Sequence, residues 1–129
     1  MHKLTEVIRN SMKPAWGQIE QDTIQEYTLE EILQYVETVS ASEIVFIRDA
    51  FSMNMELLEE GLQSSKTSFG PMLKKQNGGK LISDNENRTV QLLCNGAVEA
   101  RVLGLNKPAM SIAGSGVCGI ITTLPLFAY

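Results

Sequence analysis

The residues best suited to chemistry lie in 111–119, SIAGSGVCG, where three glycines and two serines precede an apolar run. Glycine lets a backbone approach a ligand closely, and N–H groups at a helix start attract a carboxylate or phosphate. The segment can therefore cradle an anion through Ser111, Gly114, Ser115, Gly116, Cys118 and Gly119, or it can be a tight connection between helices. It lacks the Gly-Lys-Ser/Thr ending of a Walker phosphate loop, and no strand leads into it as a dinucleotide fingerprint requires.

Cys118 falls at the expected start of the helix that follows. There the helix dipole would favour a thiolate, making Cys118 a nucleophile or metal ligand; the alternative is a small buried hydrophobe. Cys94 sits between Leu93 and Ala97 in an apolar stripe, which reads as core packing. These two cysteines and the single His2 match no zinc spacing and cannot complete a four-cysteine iron–sulfur site. Triad catalysis would need an imidazole beside the nucleophile, and His2 is the one candidate.

The chain has 129 residues, 43% of them hydrophobic and 20% charged, which suits one small domain. A net charge of −4 argues against a nucleic-acid partner, because such affinity comes from Lys and Arg neutralising phosphates. The opening MHKLTEVIRNSMK lacks the apolar core of a signal peptide, and two cysteines make no disulfide framework, so a cytoplasmic home is expected. The run at 120–129 falls short of the roughly 20 residues of a membrane span, so no membrane association is expected.

Helical periodicity runs through the chain. Thr28 and Glu31 have capping-box spacing, and Leu29, Ile32, Leu33 and Val36 follow on one face, so the pattern predicts a helix over 28–38. Ser40 with Glu43 predicts a second helix, its stripe running through Ile44, Ile47, Phe51, Met55, Leu58 and Leu62, with Gly61 as its left-handed stop. Glu43, Asp49, Glu56, Glu59 and Glu60 form its solvated side, while the methionines around Asn54 fit core filling. Residues 64–80 read as a connector with at most one or two helical turns around Phe69, Met72 and Leu73. Ser83 with Glu86 predicts a helix to about Leu103, striped by Val90, Leu93, Ala97 and Ala100; Gly96, Ala97 and Ala100 would admit a close neighbour. After Gly104 and a turn at 106–108, a last helix starts near Cys118. The predicted class is mainly α, a small helical domain without strands or repeats. Ile120, Ile121, Leu124, Leu126, Phe127 and Tyr129 crowd a stretch without a closing polar residue or a helix-stop glycine, which implies a cover: a missing downstream segment, a partner chain or self-association.

Three ordered segments carry a resemblance. IVFIRDAFSMNMELLEEGL, KLISDNENRTVQLLCNGAVEARVLG and PAMSIAGSGVCGI are similar to the middle of the cysteine desulfidase and iron–sulfur L-serine dehydratase alpha-chain family, over about 23–129. Residues 1–22 form an N-terminal segment in which 13–20, KPAWGQIE, faintly echoes that family's opening, with Gln18 at its cysteine position; a chance match is the alternative. The resemblance implies a truncated or divergent deaminating lyase, an ammonia-lyase relative, forming part of a larger helical catalytic domain. It implies a four-iron, four-sulfur cluster at family level and none in this chain alone. It also implies a small amino-acid substrate, cysteine or serine, whose carboxylate the 111–119 loop holds through Ser111, Ser115 and the backbone around Gly114 and Gly116. Val117-Cys118 replaces the family's Asn-Gln/His pair, and Gln18 cannot form a thiolate. The readings that follow are an inactive contributor to a split enzyme and a non-catalytic helical interaction module, with a freestanding enzyme the least favoured.

Overall fold

Thr28 and Glu31 cap each other as their spacing predicts: the Thr28 backbone N–H donates to Glu31 Oε2 at 2.8 Å and the Glu31 N–H to Thr28 Oγ1 at 3.3 Å. They open α1 (Leu29–Thr38). The computed structural model describes residues 4–6, 9, 25–112 and 114–128. Downstream come α2 (Ile47–Gln63), α3 (Phe69–Gln76), α4 (Glu86–Val102), α5 (Gly116–Thr123) and a 3-10 turn at Leu124–Phe127. The protein is mainly α, with no strand among the described residues and one isolated bridge between Ile112 and Ser115. Within those residues no helix is long and apolar enough to cross a membrane.

α4 lies at the centre, packed on α2, α3, α5 and the 3-10 turn. Leu57 and Leu58 of α2, Leu92 and Leu93 of α4, Ile120 of α5 and Leu124 are fully buried around it. Each contributes roughly 1.5–3 kcal/mol of hydrophobic stabilisation. Cys94 joins this core, and burial pushes its thiol pKa up. The small residues of α4 admit close neighbours as expected. A Cβ on Gly61 of α2 would come to 2.8 Å from Ala100 Cβ, and one on Gly70 of α3 to 3.2 Å from the Gly96 Cα.

Three boundaries differ from the sequence reading. Gly61 does not stop α2, which continues to Gln63; its missing side chain instead admits Ala100. The helix's last carbonyls are met by the Thr67 hydroxyl, which donates to Gly61 and Ser64 oxygens. Ser40 does bond Glu43, yet 41–46 form turns with i-to-i+3 bonds, and the regular helix begins only at Ile47. Ser83 does not cap α4. Its hydroxyl donates to Asn77 Oδ1 at 2.6 Å, and Asn85 takes the cap by accepting from the Arg88 N–H at 3.0 Å.

The C-terminal stretch is half covered by the chain itself: Ile120 and Leu124 are buried, whereas Ile121, Leu126 and Phe127 are exposed. Tyr129, like His2 and the 13–20 echo, lies outside the described residues. At the other end Thr5 and Tyr35 share a hydroxyl hydrogen bond of 2.7 Å, which seats Tyr35, the buried residue of α1.

Glu99 of α4 holds the start of α3. Its carboxylate accepts from the backbone N–H groups of Ser68 at 3.0 Å, Phe69 at 2.9 Å and Gly70 at 2.7 Å. Burial pushes the Glu99 carboxyl up, but the three donors outweigh it and hold it below the usual carboxylate value. A carboxyl depressed on folding stabilises above its unfolded pKa, about 4.3, and that contribution is lost as pH falls through the folded value. Glu99→Gln is therefore expected to cost about 1 kcal/mol at neutral pH, the size of a lost helix cap. The gap should close in acid. Urea unfolding at neutral and acid pH checks this, and a difference that persists in acid would assign the loss to packing instead.

Candidate functional site

The glycine-rich segment is fastened to the core by one polar side chain that an apolar stripe would not be expected to contain. Asn54 of α2 is fully buried. Its Oδ1 accepts from the Met110 N–H at 3.0 Å, and its Nδ2 donates to Thr123 Oγ1 at 2.9 Å and the Gly119 carbonyl at 3.3 Å. The Thr123 hydroxyl donates in turn to that carbonyl at 2.7 Å. Both edges of the segment, Met110 before it and Gly119 after it, are thereby fixed to α2.

The backbone between them closes on itself. Ile112 and Ser115 exchange N–H···O bonds of 3.1 and 3.0 Å, with Gly114 in the left-handed region at φ 81°. Ser115 then caps α5: its Oγ accepts from the Cys118 N–H at 3.2 Å. That leaves the hydroxyl proton of Ser115 to donate. Gly119 sits against the Met110 backbone so closely that a Cβ there would lie 1.8 Å from the Met110 oxygen.

Arg101, in the last turn of α4, reaches the same place. A Cβ on Gly116 would lie 3.0 Å from Arg101 Nε and 3.6 Å from its Cδ, so the arginine side chain crosses the first residue of α5. A guanidinium thus stands beside the positive end of a helix whose first N–H groups have no intrahelical acceptor. The chemistry this permits is capture of a small anion by charge and hydrogen bonding.

The six residues singled out in the sequence divide in two. Gly114, Ser115, Gly116 and Cys118 surround the accessible start of α5, with Gly114 and Cys118 exposed. Ser111 and Gly119 lie behind it; Ser111 is buried and has an interaction of its own. Cys118 is a free, exposed thiol, so its reading as a buried hydrophobe does not hold. Two contributors were missed. Asn54 was legible as a polar residue inside a helical stripe, whereas Arg101 was hidden, because no spacing rule links it to a turn 15 residues later.

Among the described residues no group of three His, Cys, Asp or Glu side chains is placed to hold a metal ion. A second polar hollow, of about 400 Å³, lies around Lys75, Asn77, Lys80, Ser83 and Arg88. There Asn77 and Ser83 bond one another, and Asn77 Nδ2 donates to the carbonyls of Lys80 and Leu81, so the polar groups hold the turn itself together.

Sequence comparison finds relatives that share one name. The chain is 42% identical over 101 residues to a UPF0597 protein of Aeromonas hydrophila, covering 78% of this chain and 23% of the relative. It is 38% identical over 113 residues to a UPF0597 protein of Clostridium botulinum strain Okra, covering 85% and 25%. A UPF0597 protein of Methanocella arvoryzae is 34% identical over 107 residues, covering 83% and 25%. The chain therefore spans about a quarter of the length of these curated relatives. No family model matches, and no solved structure matches.

These findings overturn the resemblance to the cysteine desulfidases and iron–sulfur serine dehydratases. The relatives carry no lyase, desulfidase, dehydratase or iron–sulfur name. The reading as a truncated or divergent iron–sulfur ammonia-lyase is corrected accordingly. The structure supplies a physical reason why the motifs misled. Asn54, Gly61, Gly96, Glu99 and Gly119, all within the quoted motifs, are residues that packing and backbone hydrogen bonding demand, so their pattern marks a fold whatever chemistry the fold carries.

Proposed function

We propose that the turn from Ile112 into α5 binds the anionic group of a small molecule, a phosphate or a carboxylate, with Arg101 as the charged partner. Deamination and cluster chemistry form no part of this reading. The observation that carries it is the Arg101 side chain laid across Gly116, where a Cβ would lie 3.0 Å from its Nε and 3.3 Å from the Ala109 Cβ, tighter than ordinary contact. Gly114 and the Ser115 hydroxyl complete the rim, and the bonds from Asn54 hold the turn in one geometry before any ligand arrives. Preorganisation of this kind lowers the ordering cost of binding. Cys118 stands in the first turn of the helix as an exposed thiol, which suits a reducing cytoplasm, and the proposal places the chain there.

Calorimetric titration with inorganic phosphate and with acetate tests it. One guanidinium and a helix start are expected to give a dissociation constant on the order of 1 mM. Arg101→Gln should weaken it about tenfold, the loss of one charge-assisted hydrogen bond. Lys66→Gln, on an exposed loop, should leave it unchanged. Binding that responds equally to both substitutions would reduce the effect to general charge attraction and overturn the assignment.

A further inference from the structure

Among the described residues two apolar surfaces are exposed, and they complement one another. The first is a face of α1: Leu29, Leu33 and Val36 stand at helical spacing, with Leu33 55% and Val36 65% exposed. α1 shares no extensive packing with α2–α5. The second is a groove of about 410 Å³ between α2 and the 3-10 turn, walled by Ile47, Phe51, Leu126 and Phe127. The Phe51 and Phe127 rings stack to form its floor, and Leu126 at its lip is 74% exposed. Nothing else among the described elements covers either surface.

We infer that α1 of one copy docks its Leu29/Leu33/Val36 stripe into the Ile47–Phe51–Leu126–Phe127 groove of a second copy, and that the exchange is reciprocal. Charge selects this occupant. α1 carries Glu30, Glu31 and Glu37 and no basic residue, while Arg48 is the one charged side chain lining the groove. Glu31 is engaged in the Thr28 capping box, but Glu30 and Glu37, seven residues apart, share one shoulder of the stripe. The dimensions also agree: Leu29 to Val36 spans about 10 Å of helix axis, two turns, enough to insert three aliphatic side chains into one groove. A reciprocal exchange buries both surfaces twice and leaves no open end, which is the closed two-fold arrangement most homodimers adopt.

Sedimentation of the full chain tests this, since groove and stripe lie on different elements and can be disabled separately. Wild type should dimerise at micromolar concentration. Leu33→Asp and Leu126→Asp, both at exposed positions, should each keep wild-type helix content by circular dichroism and sediment as monomers. A mixture of the two variants should recover a heterodimer, because the first retains a groove and the second a stripe. The pair Glu37→Arg with Arg48→Glu should dimerise better than either single change. A dimer that survives Leu33→Asp would mean that grooves meet grooves and would overturn the proposal. A wild-type chain that is monomeric at every concentration would overturn it as well, leaving these surfaces to segments of the kind that make the relatives four times longer.

Discussion

Gly119→Ala is expected to be the most damaging single substitution in the chain. The added methyl would lie 1.8 Å from the Met110 oxygen, 2.8 Å from the Met110 carbonyl carbon and 3.3 Å from the Ser111 Cα. All three are backbone atoms, so no rotamer change relieves the overlap. α5 must move away from 110–112, which withdraws the Gly119 carbonyl from Asn54 and loosens Ile120 and Leu124, both fully buried. Overpacking alone costs about 1–3 kcal/mol, and the lost burial adds to it, so a loss above about 3 kcal/mol is expected. That is a large share of the roughly 5–15 kcal/mol available to a typical domain. Urea unfolding followed by circular dichroism measures it. A midpoint within error of wild type would mean that α5 does not pack on the Met110 backbone as described.

Asn54→Leu is expected to follow closely, for a different reason. Leucine keeps the branched four-atom skeleton and is somewhat larger, so no cavity opens. What is lost is the acceptor for the Met110 N–H and the donor to Thr123 and Gly119. The Gly119 carbonyl keeps the bond from Thr123, which leaves the Met110 N–H as the orphaned group. A buried donor without a partner costs about 1–3 kcal/mol, and losing the network around it brings the expected change to about 2–4 kcal/mol. The same unfolding experiment reads it, and Met110 amide exchange should quicken before global unfolding. A neutral or stabilising outcome would show that the apolar contacts of α2 hold the turn unaided.

The helical class and much of α1, α2 and α4 were legible in the sequence because period and capping are local properties. Thr28 and Glu31 needed nothing beyond each other, and the acidic side of α2 is solvated as its charges imply. Where the reading slipped, a distant partner had intervened. Ser83 offered a cap by spacing, but Asn77 captured its hydroxyl. Gly61 looked like a terminator by type, but the approach of Ala100 fixed its role. Glu99 drew no reading of its own, because the helix its carboxylate caps begins some 30 residues earlier in the chain. The turn at 111–119 was visible from its glycines. Its charge was not, because Arg101 enters through the packing of α4 against α5, which no local pattern encodes.

The most direct test of the anion site is to follow backbone amide and Arg101 Nε–H resonances of the chain while inorganic phosphate is added. The expected result is a saturable shift centred on Gly116, Val117, Cys118 and Arg101, absent in Arg101→Gln. Shifts confined to Lys75, Lys80 and Arg88 in the other polar hollow, or no saturable shift at the start of α5, would contradict it.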